Sequence, residues 1–301
     1  MTTHLPEQIV QPAPASAHRP LSRPMLPSFA IRRGRLNPIA LLGLLFVGSV
    51  GMVALFADVL APVDPWSSVA KPFQPPSLAH PFGTDDLGRD VLAGVIHGSR
   101  TSLIVGLTVA GLSAGIGIAL GSLAGYFGGG FDDALMRFTE FFQVIPRFFL
   151  ALVAVALFEP SLLTITLVLG LTAWPMTTRL LRAQVLSVRE REYVVAARAL
   201  GASHLSILWR HILPNTIAPV VVHTSLMIGQ AILTEASLAF LGLGDPNNIS
   251  WGYLLNNAQP FLRLAWWLPL FPGLAIALAV LGFNLLGDGF NDTRLQENKT
   301  D

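Results

Sequence analysis

The sequence predicts an all-α integral membrane protein with six transmembrane helices. Of its 301 residues, 52% are hydrophobic and only 12% charged, about half the charged share of a soluble domain. Mean hydropathy is +0.58. Six apolar runs approach or exceed the ~20 residues a helix needs to cross the hydrocarbon layer. Basic residues fall mainly on one side of those runs.

The net charge of +1 gives no bulk basic character that would suggest nucleic acid, so the partner implied by composition is the lipid bilayer. The absence of cysteine excludes disulfides, thiolate metal sites and a cysteine nucleophile.

Residues 1–35 hold Pro6, Pro12, Pro14, Pro20, Pro24 and Pro27 ahead of any apolar run, the composition of a disordered cytoplasmic tail rather than a cleavable signal. The first transmembrane segment is 36–60, with its apolar stretch at Asn37–Ala57. Residues 61–98 are polar and proline-rich and read as an extracytoplasmic loop. A five-helix core at 99–290 follows, beginning with a span over Thr101–Gly125. There Gly111 and Gly115, then Gly117, Gly121 and Gly125, have the small-xxx-small spacing that lets another helix approach closely in lipid. After the turn at Gly128-Gly129-Gly130, the third span, Asp133–Leu157, is interrupted by Glu140, Pro146 and Arg147, and Pro146 should kink it. Its stripe of Phe138, Phe141, Phe142, Phe148 and Phe149 reads as lipid-facing or helix-packing surface.

The fourth span, Ser161–Leu181, contains Pro175. The fifth, Asn215–Leu241, contains Pro219, Gly229 and Glu235. A polar loop, Gly242–Leu264, precedes the sixth, Ala265–Leu286, which opens on an interfacial Trp266-Trp267 pair. Polar residues follow from Gly287, and 291–301 read as a cytoplasmic tail.

Six spans put both ends on one side. With the N-terminus cytoplasmic, Arg19, Arg23, Arg32, Arg33, Arg35, Arg137, Arg179, Arg182, Arg189, Arg191, Arg198, Arg210, Arg294 and Lys299 lie inside. Lys71, Arg89, Arg100 and Arg263 lie outside, and Arg147 is assigned to neither side. The excess is internal, as the positive-inside rule requires.

The loop 187–214 between the fourth and fifth spans is then cytoplasmic. Ser187 and Glu190 have capping-box spacing and suggest a helix start. Val194, Ala197 and Leu200 share one face, and Gly201 suits a helix stop. Ser203 can cap a second short helix whose apolar face is Leu205, Leu208, Trp209 and Ile212, and Pro214 fits the first turn of the next. Two readings are open: amphipathic helices lying along the membrane, or a docking surface where Ala196, Ala197, Ala199, Gly201 and Ala202 let another backbone come close.

The stretch resembles the EAA loop of ABC-transporter membrane subunits, E-A-A-x3-G-x9-I-x-L-P. Ala196, Ala197, Gly201, Leu213 and Pro214 match it, whereas Val195 replaces the glutamate and His211 the isoleucine; Glu192 is nearby but out of register. The resemblance implies an ATPase-coupling role for Glu192, Ala196, Ala197, Gly201, Ala202, Leu213 and Pro214, as a coupling helix seated in a cleft of the ATP-hydrolysing subunit.

Glu235 is an acid within a span, so it should be paired, protonated or facing water. It is a candidate for the translocation path or gate, or else for a bond to a neighbouring helix. In the outer run from His80 to Asp90, carboxylates and a histidine could ligate a divalent ion. The plainer reading has Gly83 and Gly88 making turns and Thr84 or Asp85 capping a helix. GxxxxGK[ST] is absent, so ATP should not bind this chain, and no metal, cofactor or catalytic residue is expected on it.

From Asn37 to Asp292 the chain is similar to the C-type permease subunits of binding-protein-dependent ABC importers of the dipeptide, oligopeptide and nickel group. The likeness runs through FGTDDLGRD, the EAA-like loop, EASLAFLGLG and GDGFND. It implies a type I importer (MetI-like) fold in the bacterial inner membrane, with both termini cytoplasmic. It also implies a second permease of B type, two cytoplasmic ATPase subunits that bind ATP and magnesium, and an extracytoplasmic solute-binding protein. Peptide is the expected cargo; nickel, glutathione or another small solute fits the same architecture. An ion-coupled secondary transporter is the rival of another class, and it would show intramembrane charges and an internal repeat.

Overall fold

The computed structural model describes residues 37–300, with side chains as far as Phe290. The expected disordered tail, 1–35, lies outside the described residues, as do the side chains of 291–301.

The described residues are mostly helical and form no strand. Helix α1 is Pro38–Leu55, α2 is Ala57–Leu60, α3 is Val91–Phe127, α4 is Gly129–Val144 and α5 is Arg147–Leu157. Then come α6, Leu162–Arg189; α7, Glu192–Ala199; α8, His204–Ile207; a π turn, Leu208–Ile212; and α9, Leu213–Thr216. Helix α10, Ala218–Leu238, runs into a second π turn, Ala239–Leu243, and is followed by α11, Trp251–Ala258, and α12, Trp267–Thr300.

Among the described residues, α1, α3, α10 with its π turn, and α12 are long and apolar enough to cross a membrane. Helices α4 and α5 add a fifth if the pair, bent by 71°, forms one broken span. Helix α6 is long enough at 28 residues but more polar. Its Thr166, Thr172, Thr177 and Thr178 are buried. The hydroxyls of Thr166 and Thr172 donate to carbonyls one turn back, at 2.6 Å to Leu162 and 2.7 Å to Val168. Hydroxyls bonded in this way are satisfied within the helix, so they do not prevent it from crossing the membrane. Six spans are compatible with this arrangement.

The expected kink at Pro146 is a full break: α4 ends at Val144 and Pro146 precedes α5. Helix α6 instead continues through Pro175. Helix α3 begins at Val91, well before the expected Thr101, because Asp90 caps it by accepting the N–H of Ala93 at 3.0 Å. Neither Thr84 nor Asp85 caps this helix. At 37 residues it measures about 55 Å, so its first turns stand clear of a ~30 Å hydrocarbon layer.

The glycine-spaced face of α3 divides in two. Gly117, Gly121 and Gly125 lie against α6, where an added methyl would strike Thr177, the Thr178 carbonyl and Val185. Gly111 and Gly115 face open space. Helices α1 and α12 meet as closely: a methyl at Gly43, Gly282 or Gly289 would collide with Leu286, Phe46 or Ala40 of the opposite helix.

The segment between α2 and α3 is folded onto the bundle. Gly83 and Gly88 turn it with φ of 76° and 73°. Asp85 accepts the N–H groups of Leu87 and Arg89 at 2.9 and 2.7 Å. Arg100 binds Asp58 through two contacts of 2.8 Å and donates to the Ala54 carbonyl at the end of α1. The Trp266-Trp267 pair is split: Trp266 is exposed, whereas Trp267 is buried and donates to the Thr84 carbonyl. Asp245 accepts the N–H of Leu162 at 2.8 Å, joining the loop after α10 to the start of α6.

Candidate functional site

The loop from α6 to α10 is built on one bend after another. Helix α6 runs on to Arg189, so Ser187 and Glu190 sit at its end and do not start a helix. Helix α7 starts at Glu192, whose exposed carboxylate is suited to a helix N-terminus. Gly201 stops it with φ +78°; the N–H of Gly201 bonds to the Arg198 carbonyl and that of Ala202 to the Ala197 carbonyl. This pair of bonds is the Schellman arrangement, and it requires a left-handed residue at Gly201. Ser203 caps α8 by accepting the N–H of Ser206 at 3.3 Å. Pro214 lies in the first turn of α9, and having no N–H it leaves the preceding ladder to reset as a π turn.

The loop has two apolar faces. Val194, Ile207, Leu208, Ile212 and Leu213 are buried, in one cluster with Tyr126 of α3 and Leu181, Val185 and Val188 of α6. Val195, Leu205, Trp209 and Leu200 point the other way, exposed to 47%, 66%, 63% and 88%. The single faces expected from spacing are thereby corrected: Leu200 does not join Val194, and Leu205 and Trp209 part from Leu208 and Ile212. Ala196 and Gly201 are exposed beside the outer patch, Ala197, Ala202 and Pro214 are half-buried, and Leu213 belongs to the core.

Polar contacts fix the base of the loop. Tyr126 Oη lies 2.8 Å from His204 Nδ1. The Arg189 guanidinium donates to the Gly125 carbonyl at 2.9 Å. Arg182 of α6 grips the buried carboxylate of Asp132 in α4 through two bonds of 2.5 and 2.6 Å. Sequence reasoning missed these anchors, since the partners are far apart in the chain. The one available signal was Asp132, an acid in the first turn of a helix with basic residues expected on the same side.

Glu235 is not brought to this loop. It lies towards the far end of α10 and is only 2% exposed. Its Oε1 accepts the Ser250 hydroxyl at 2.8 Å, and Oε2 is buried without a partner. Ser250 also caps α11 by accepting the N–H of Tyr253 at 3.1 Å. Trp251 then donates its N–H to Ser102 Oγ and its indole N–H to the Val95 carbonyl of α3. Glu235 thus joins α10 to the start of α11. In the segment before α3, His80 and Asp90 pair at 2.8 Å, and no group of three potential metal ligands occurs among the described residues.

Residues 117–293, from the glycine face of α3 to the end of the bundle, match the family model described as binding-protein-dependent transport system inner membrane component. The chain belongs to this family. Among relatives of this transport-component family, the dipeptide transport system permease protein DppC of Alkalihalophilus pseudofirmus is 38% identical over 265 residues, 87% of either chain. The oligopeptide transport system permease protein OppC of Bacillus subtilis is 34% identical over 295 residues, 96% of this chain and 97% of its own. The di/tripeptide transport system permease protein DppC of Pseudomonas aeruginosa is 39% identical over 274 residues, 88% of each. This chain is therefore a multi-pass membrane component of a transport system.

Proposed function

We propose that the protein is the permease subunit of an ATP-driven importer of di- or oligopeptides, coupling ATP hydrolysis by partner subunits to translocation. The observation that supports this most is the two-faced loop: Val194, Ile207 and Ile212 root it in the bundle while Leu200, Leu205 and Trp209 remain uncovered. An apolar patch of this kind on a short polar loop is characteristic of a protein contact. The printed names of the relatives support peptide as cargo.

In this reading ATP and magnesium reside on two cytoplasmic ATPase subunits. Closure of that pair pushes on Glu192, Ala196, Gly201 and their apolar neighbours. The load passes through Ala197, Ala202, Leu213 and Pro214 into α6 and α3, and shifts the bundle between inward- and outward-open packings. A second permease of B type completes the pathway, and an extracytoplasmic solute-binding protein delivers cargo at 61–98 and Gly242–Leu264. Both termini are cytoplasmic, in the inner membrane of a bacterium. Glu235 serves the outer gate as a packing link between α10 and α11.

The test is Leu200→Cys in this cysteine-free chain. A membrane-impermeant thiol reagent should label it from the cytoplasmic side only, and bound ATPase subunits should block the reaction. Labelling from the outer face, or labelling indifferent to the ATPase, overturns the assignment.

A further inference from the structure

Arg147 is the first residue of α5, immediately after the 71° break from α4. It borders a cavity of about 520 Å³ together with Val109 of α3 and Ala173 of α6. Both lie near the middle of long helices, so the cavity sits at membrane depth. The arginines of α3 and of the middle of α6 have carboxylate partners: Arg100 has Asp58, Arg179 has Glu140 and Arg182 has Asp132. Arg147 makes no ion pair or hydrogen bond among the described residues. His223, whose buried Nε2 is without a partner among the described residues, lies within its electrostatic reach. Arg147 is exposed to this space and not packed among neighbours; a cation that faces a cavity between membrane helices without a counter-ion marks a path for a charged species.

The opposite wall of the cavity comes from α10. Gln230, Thr234 and Ser237 follow one another about a turn apart and all border the space. The hydroxyls of Thr234 and Ser237 donate back to the Gln230 and Leu233 carbonyls, each at 2.7 Å. Their protons are used, so they present lone pairs to the cavity and can only accept. The cavity therefore offers a free guanidinium for an anion and a row of acceptors for N–H groups. The uncapped first turn of α5 adds the positive end of its dipole beside Arg147.

We propose that this cavity is a cargo site in which Arg147 binds the C-terminal carboxylate of a passing peptide, while Gln230, Thr234 and Ser237 take its backbone N–H groups. The inference rests on the peptide-importer reading and assigns to it a specificity-determining residue. Glu235 does not border this space, so the path residues on α10 are the polar ones on its other face.

The experiment uses the complete transporter in proteoliposomes with its binding protein, and compares a dipeptide with the same dipeptide amidated at its C-terminus. Arg147→Gln should slow uptake of the free-carboxylate peptide by roughly tenfold or more, as expected for loss of a charge-assisted bidentate contact, and Arg147→Lys should restore much of it. Uptake of the amidated peptide should change little. If Arg147→Gln slows both peptides alike, or slows neither, the site assignment is wrong while the importer reading stands. If the wild-type complex imports neither peptide, the importer reading itself falls.

Where the binding protein rejects the amide, a second readout decides. Gln230→Cys, alone or with Arg147→Gln, is labelled by a soluble maleimide during turnover. Free peptide should protect it only when Arg147 is present, and equal protection in both backgrounds overturns the proposal.

Discussion

Tyr126 and His204 face each other across the joint between the end of α3 and the start of α8, Oη to Nδ1 at 2.8 Å. The tyrosine ring is buried in the cluster that also holds Val194 and Ile207. This single polar contact therefore anchors the loop at the point where its apolar packing gives way to solvent.

Replacing Tyr126 by Phe keeps the ring and removes the bond, a loss of about 1 kcal/mol. Folding should survive, while the loop transmits force less faithfully. The number of peptides imported per ATP hydrolysed should fall, and an unchanged ratio would show that the contact has no part in coupling.

Gly201 has φ +78° and open space around its α-carbon. Substitution there is limited by backbone conformation, not by collision. Valine should strain the stop of α7 by about 1–2 kcal/mol and uncouple ATPase activity from uptake, whereas asparagine, which tolerates this conformation, should largely preserve it. Equal coupling in the two variants, measured in proteoliposomes, would refute this account.

Arg182 and Asp132 tie α6 to α4 through a carboxylate that is almost wholly buried. Arg182→Met leaves that acid without its partner and should cost about 3–5 kcal/mol. Adding Asp132→Asn should recover much of the loss. Thermal midpoints of the purified protein provide the comparison, and a double variant no more stable than Arg182→Met would count against the pairing.

Asp245 gives the structure an acid limit. Burial pushes its carboxyl up, but the N–H groups of Leu162 and Asn247 and the side-chain amides of Asn248 and Asn247 outweigh that and hold it below the ordinary value. A depressed carboxylate contributes stability that is present above its unfolded pKa of ~3.9 and lost as pH falls through the lower folded value. The melting midpoint should therefore decline on acidification, with a shallower decline in Asp245→Asn. Superimposable acid profiles for the two proteins would rule out this residue as a contributor.

Much of this architecture was legible in local chemistry. Apolar length marked the spans, Pro146 marked the break, and Gly201, Ser203 and Pro214 marked the bends of the loop, since each acts through its own backbone. The start of α3 was misplaced because apolar counting stops at the membrane edge, while a helix stops where its cap, Asp90, is. The faces of α7 and α8 were merged because periodicity identifies apolar side chains but not what covers them; Leu208 is covered by this chain and Trp209 is not. Arg147 had no assigned side until the fold placed Val109 and Ala173 around its cavity.

Helices α1 and α12 touch backbone to backbone at Gly43 and Gly289, with no side chains between them to act as bearings. Two rods pressed together in this way have no room to slide, so the first and last helices form a single stave of the bundle. Labels attached near Asn37 and near Phe290 should then report the same displacement during a transport cycle, while one on Leu200 follows a separate course.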